Sequence, residues 1–198
     1  LLSHVLLSCP EFVKGKRVLE LGSGFHCLPG AAAQCSGATR VFCTEVDSTA
    51  IDVMNVNIDN NGLDCVSATR LDWTKLDDYD DLGQFDDILG SDIIHEKWMS
   101  EAVELVVSRF LKKDGLCLIV NGHANSRFGM EEWCDKILGA SDLLRGDMYP
   151  VPPAHEHDLV GVEAVSDLNE KKPLENWCMH LVYTVCTHKE HFESLAAS

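Results

Sequence analysis

The sequence predicts an open α/β fold, a mainly parallel sheet with helices on both faces and its last strands antiparallel. Three observations lead there. Val18-Leu19-Glu20-Leu21 reads as a buried strand that turns through Gly22 and Gly24 into helix-forming residues from Leu28. That strand, glycine turn and helix start are the unit with which an open α/β sheet holds a nucleotide-like ligand at its carboxyl edge. Five β-rich runs alternate with helical patterns, which calls for parallel strands and crossovers. The last two β-rich runs have no crossover-length helix between them, so they pair antiparallel.

The elements follow in order. Residues 2–9 read as a helix ended by Pro10, and Gly15 turns the chain into a first strand, Arg17 to Leu21. A helix from Leu28 to Ser36 stops at Gly37. Val41 to Thr44 forms a second strand ending in Glu45-Val46-Asp47. Ser48 can cap the next helix, which turns Ile51, Met54 and Ile58 inward and ends in Asn60-Asn61-Gly62. Cys65 to Leu71 is a third strand, closed by Asp72-Trp73, and Lys75 to Gln84 is an acidic loop. Phe85 to Asp92 is a fourth strand. The helix after it carries Met99, Ala102, Val103, Val106, Val107, Phe110 and Leu111 on one face, with Glu101, Glu104, Ser108 and Lys112 on the other. Leu116 to Asn121 is the fifth strand and Met130 to Leu138 a helix. Asp142 to His157, with Pro150, Pro152 and Pro153, reads as a loop that could form a substrate rim. Leu159 to Val165 and Cys178 to Thr187 are the last two strands, joined by a polar link from Asp167 to Asn176.

The 198 residues fit one domain, 1–198. Sixteen basic against 32 acidic residues give a net charge of −16, which argues against nucleic acid and against anionic membranes as partners. It suits a basic protein partner, although acidity also simply keeps a protein soluble. Nine cysteines without a C-x-x-C pair, several inside apolar runs, point to a reduced, intracellular chain, and a cytoplasmic, also nuclear, location is expected. No run is long and apolar enough to span a bilayer, and Leu1 to Leu7 lacks the basic start of a signal peptide. His155-Glu156-His157 and His188/His191 lack the companion ligands of a zinc site, so no metal is expected. A monomer is expected. Without an initiator Met, the chain is expected to be a fragment or trimmed.

Three signatures in order now resemble one family. Lys14 to Gly24 is similar to the opening strand and cofactor loop of the seven-β-strand S-adenosylmethionine-dependent protein methyltransferases. Leu71-Asp72-Trp73 resembles their Leu-Asp-Trp step, and Gly90-Ser91-Asp92-Ile93-Ile94-His95 their Asp-x-x-Tyr region. The likeness runs from about Ser3 to Lys189 and is weak over 141–176. It implies a Rossmann-like class I methyltransferase fold, three α/β/α layers around a seven-stranded sheet. It also implies methyl transfer from S-adenosylmethionine to a protein side-chain nitrogen, lysine before arginine, with S-adenosylhomocysteine as product. Phe25 to Gly30 is most similar to calmodulin-lysine methyltransferase-like members, with an arginine-directed branch as rival. The chain's acidity works against acidic calmodulin itself.

The resemblance assigns roles. Gly22, Ser23 and Gly24 let backbone approach the cofactor, and Glu20 accepts from its amino group, directly or through water. Glu45 takes the ribose diol, since a carboxylate accepts at both oxygens. Asp72 accepts from the adenine amino group, or the backbone near it binds the ring, and Trp73 offers the ring a π face. Ser91 lies beside the cofactor, Phe25 packs over it, and Asp92 and His95 meet the target amine. A lysine must lose its proton before attack, and either water or His95 can take it. Each residue also has a plain structural explanation: glycines serve turns, Glu45 can cap a helix, Trp73 can be core, and His95 can be a bystander. Two departures stand out. Phe25-His26-Cys27 replaces the usual third glycine, and the family's upstream, Trp-bearing segment is expected to be missing. A small-molecule methyltransferase, a nicotinamide-dependent oxidoreductase and a catalytically silent binding module are the alternatives.

Overall fold

The computed structural model describes residues 1–123, 127–150 and 180–196. Its strands are β1 (Arg17–Leu21), β2 (Arg40–Glu45), β3 (Val66–Arg70), β4 (Phe85–Ser91), β5 (Leu111–His123), β6 (Leu144–Pro150) and β7 (His180–His188). They form one sheet in the order β3-β2-β1-β4-β5-β7-β6. β1 to β5 pair in parallel, and β7 runs antiparallel between β5 and β6. The strand order reverses between β1 and β4. At such a reversal the two flanking crossovers leave on opposite faces and open a crevice at the carboxyl ends of the strands.

The helices are α1 (Leu2–Ser8), α2 (Leu28–Cys35), α3 (Ser48–Asn60), α4 (Lys97–Phe110), α5 (Met130–Asp135) and α6 (Lys189–Ala196). The pleat divides the strand residues between two cores. On one face Val18, Val41, Cys43, Leu89 and Leu118 pack with Leu6 of α1, Ala33 of α2 and Met54 of α3. On the other, Leu19, Ile88 and Ile119 pack with Val103 and Phe110 of α4 and Trp133 of α5. These are the three expected layers.

Several boundaries differ for identifiable reasons. Asp47, not Ser48, caps α3, its carboxylate accepting from Thr49 N at 2.7 Å and Ala50 N at 3.4 Å. Ala50 is buried in the first turn, and Ile51 packs partly buried against the same core as Met54 and Ile58. Glu104 is buried instead of solvated. Its carboxylate accepts from Lys136 and Ser141, because the turn after α5 folds onto α4 and supplies both donors. β5 starts at Leu111, which pairs with Phe85 beyond an irregularity in register.

The largest correction concerns the expected rim from Asp142 to His157. Its first half is β6, and Leu144 to Pro150 pairs with His188 to Val182. Gly146, Asp147 and Pro150 hide the strand from propensity, but an edge position tolerates them. A Cβ at Gly146 would lie 2.0 Å from Val185 O, so that residue type lets the edge strand close on β7. The rest of the expected rim, residues 151–157 with His155-Glu156-His157, the expected strand Leu159 to Val165 and the link from Asp167 to Asn176 lie outside the described residues. α6 is an addition to the expected elements.

Trp133 is fully buried and donates from Nε1 to Thr184 Oγ1 at 2.9 Å, tying α5 to β7. Thr184→Val keeps the volume and strands the indole N–H. It should lower the unfolding free energy by about 1–3 kcal/mol, read as a reduced urea midpoint.

Candidate functional site

The loop after β1 turns on Gly22 and Gly24, both at φ +59, where an L side chain is disfavoured. Gly22 is also constrained by space, since a Cβ there would lie 2.9 Å from Ile93 Cγ2. Ser23 N donates to Thr44 O at 2.9 Å and anchors the loop to β2. Cys27, left-handed at φ 42, precedes α2, and Asn57 Nδ2 holds the Phe25 carbonyl at 2.9 Å. Phe25 and His26 therefore turn outward, with the Phe25 carbonyl tied to α3, while Cys27 returns to the core and is fully buried.

Behind this loop lies Glu20. Its Oε2 accepts from Gly30 N at 2.9 Å and from Cys43 Sγ at 3.2 Å, so one carboxylate joins β1, β2 and the first turn of α2. Burial pushes its pKa up to about 7, against the thiol and the Gly30 N–H, which favour the charged form. The N–H of Gly30 is thus spent inside the protein rather than offered to a ligand.

In front of the loop is a cavity of ≈ 280 Å³ at the carboxyl edge of β1 to β4. Six residues expected from sequence line it: Gly22, Glu45, Asp72, Trp73, Asp92 and His95. Glu45, at the end of β2, is oriented by backbone. Val46 N donates to its Oε1 at 2.8 Å and Gly24 N to its Oε2 at 3.3 Å. Each oxygen keeps a lone pair for a hydroxyl of a ligand. Asp72 Oδ1 accepts from Thr74 N at 3.0 Å and Thr74 Oγ1 at 2.6 Å, which, with Lys75 and Arg70 nearby, holds its carboxyl below the usual range. Trp73 stands beside it and packs partly into the α4 core.

Asp92 follows β4 at φ +55, and its N–H donates to Val120 O at 2.7 Å. Two residues on, the buried Asn121 accepts from Ile94 N at 2.9 Å and donates to Ile94 O at 3.1 Å. This clamp from β5 fixes the turn that carries Asp92 and His95. His95 faces the cavity, and its backbone N–H reaches Met99 Sδ at 3.4 Å.

The other expected residues stand elsewhere. Glu20 is behind the loop, Gly24 reaches the cavity only through its N–H to Glu45, Ser23 and Ser91 do not line it, and Phe25 is turned outward with 48 % exposure. Sequence reasoning missed Trp98 on the cavity wall, the Asn121 clamp, and Arg127, which pairs with Asp92. Asn121 had a weak signal, a polar residue closing an apolar strand; Arg127 had none, since its partner lies 35 residues away. Asp77 and Asp80 of the acidic stretch, a 3₁₀ segment over Leu76–Leu82, pair with Arg109 of α4.

Glu20 yields a stability test. Its folded pKa of about 7 lies above the ordinary 4.5, so the folded state holds an extra proton between those values. The contribution is complete below pH 4.5 and is lost as pH rises through about 7, a change on the order of 3 kcal/mol. Glu20→Gln keeps an oxygen for Gly30 N–H. It should flatten stability between about pH 4.5 and 7 and raise it above pH 7 in urea titrations. Asp87, which burial raises to about 6 in spite of Lys16, leaves a residual slope at the acid end.

Residues 6–133 match the lysine methyltransferase family. The chain is similar to the electron transfer flavoprotein beta subunit lysine methyltransferase of Mus musculus, 28% identical over 127 residues, 64% of this chain and 48% of that protein. It is 40% identical to the Homo sapiens protein of the same name over 62 residues, 31% of this chain and 23% of that one. The chain thus spans about half, or less, of the length of these curated relatives. In fold it resembles the ribosomal protein L11 methylase of Lactobacillus delbrueckii subsp. bulgaricus, with a TM-score of 0.63, 15% identity and coverage of 95% of this chain and 77% of that one. It also resembles a geranyl diphosphate methyltransferase solved with S-adenosylmethionine, with a TM-score of 0.65, 14% identity and coverage of 93% and 83%. The family match runs unbroken through the glycine loop and every strand-end acid of the cavity, and the chain belongs to the lysine methyltransferase family.

Proposed function

We propose that the cavity binds S-adenosylmethionine and that the protein methylates a lysine side chain of another protein. One observation carries this reading. Glu45, Asp72-Trp73 and Asp92, from three successive strand ends, converge on one cavity beside Gly22, in a chain of the lysine methyltransferase family. The donor set suits the cofactor. A carboxylate held by two N–H groups suits a ribose diol, an indole face with an adjacent acid suits adenine, and a glycine without room for a Cβ suits close backbone approach. Bound there, S-adenosylmethionine supplies a methyl group already activated on a sulfonium and leaves as S-adenosylhomocysteine.

The chain's own residues have less to do than in a hydrolase. Glu45, Asp72 and Trp73 orient, and the apolar wall of Leu71, Ile93 and Met99 excludes water. Asp92 accepts from the target amine, and His95, on the same wall, takes its proton or leaves it to water. Glu20, Ser23, Gly24, Phe25 and Ser91 belong to the scaffold around the cofactor rather than to its contacts. The substrate is a protein with a basic surface, in keeping with the net charge of −16. Nucleic acid is not a partner, and the protein acts as a monomeric single domain in the cytoplasm, also in the nucleus. Among the described residues no helix is long and apolar enough to cross a membrane.

Isothermal titration with S-adenosylmethionine tests the cofactor. Glu45→Ala should weaken binding at least tenfold, about the 1.4 kcal/mol of one charge-assisted hydrogen bond. Phe25→Ala should leave it within a factor of three. No binding at high micromolar cofactor would sink the reading. Tritiated cofactor with a cell extract, followed by identification of the labelled residue, tests lysine as the acceptor.

A further inference from the structure

Three carboxylates, Glu45, Asp72 and Asp92, face the one cavity. Two are managed locally, Glu45 by the N–H groups of Gly24 and Val46, and Asp72 by Thr74 with Arg70 and Lys75 both at 3.9 Å. Asp92 is managed from across the fold. Arg127, on the turn leading into α5, donates from Nε to Asp92 Oδ1 at 2.9 Å and from Nη2 to Oδ2 at 2.6 Å. This is the bidentate fork that a guanidinium makes with a carboxylate.

The turn is fitted to this place. Met130 N closes it on Arg127 O at 3.1 Å. A Cβ at Gly129 would lie 2.3 Å from Glu96 O, so the turn presses against the segment that carries Asp92 and His95. Asp92 is held just as firmly by its bond to Val120 O. Among the described side chains, the other charged or titratable groups on the cavity are His95, Glu45 and Asp72, while Lys97 and Glu132 pair with each other between α4 and α5 at 2.9 Å. The fork, then the Gly122 N–H and His95, hold the Asp92 carboxyl below the usual range against the cost of burial.

A lysine ammonium has no lone pair and cannot attack. A bare carboxylate beside it favours the ammonium and raises its pKa. We propose that Arg127 is a positioning residue that cancels the charge of Asp92, so that the acceptor nitrogen enters as the neutral amine while Asp92 still accepts its N–H. Of the four lone pairs of the Asp92 carboxylate, two go to the fork and one to the Gly122 N–H, which leaves one for the amine. The ammonium proton leaves to solvent before attack. The inference rests on the lysine methylation proposed above and names the residue that sets the protonation state of its substrate.

The test is the pH dependence of initial methyl incorporation from tritiated S-adenosylmethionine into the proteins of a heat-inactivated cell extract. It is paired with a carbon-13 NMR titration of the Asp92 carboxyl. Arg127→Gln should move the acid limb of the rate profile up by about one pH unit and raise the Asp92 titration with it. Arg127→Lys keeps the charge, loses the fork, and should leave the limb in place with a lower plateau. An Arg127→Gln profile reduced equally at every pH would overturn the inference and leave only a structural role. So would a limb displaced in Arg127→Lys, and that variant decides the matter should Arg127→Gln not fold. Wild-type Asp92 titrating at its ordinary value would overturn the pairing itself. No incorporation by the wild type at any pH would overturn the proposed function, and this inference with it.

Discussion

In a parallel sheet every strand delivers its last residue to the same edge, and everything in this protein's candidate site depends on that constraint. β1, β2, β3 and β4 end, or lead within two residues, at Leu21-Gly22, Glu45, Asp72 and Asp92. Residues spread over seventy positions of sequence therefore meet around one cavity. The reversal of strand order between β1 and β4 opens that edge by sending α2 and α3 to one face and α4 to the other. Ile93 closes its floor, resting against Gly22 and Gly90, where side chains would collide with it.

The same edge concentrates negative charge, and the fold handles each carboxylate differently. Glu20 is taken out of water and given one N–H and one thiol, at the cost of a pKa raised to about 7. Glu45 is left half-exposed with backbone donors that aim it. Asp92 receives a guanidinium from a distant turn. These arrangements separate an acid buried behind the loop from two that face the cavity, a distinction that residue type does not carry. Glu104 on α4 is the counterpart far from the site, an acid buried because a neighbouring turn supplies Lys136 and Ser141.

What was legible in the sequence follows local rules. β1 was readable to the residue because apolar runs and glycine turns are local signals, and the cavity-lining acids were readable because each closes a strand. β6 was not, because Gly146, Asp147 and Pro150 are poor strand formers that an edge position accepts once β7 is beside them. Glu20 was placed at the cofactor by its position just before the loop, and Phe25 by its position just after the glycines. A strand has two faces and a turn two sides, and only packing chooses between them. Arg127 had no signal, since nothing local to residue 127 refers to residue 92.

By itself the sequence determined the α/β class, the order of the first five strands and helices, and the acids that stand at the strand ends. Periodicity and turn chemistry act within a few residues and are written in the chain. The tertiary structure alone decided which of those acids face the cavity, that the Asn121 clamp fixes the Asp92–His95 turn, and that Arg127 answers Asp92. Those outcomes depend on distances between elements far apart in sequence, and such distances exist only once the sheet has assembled.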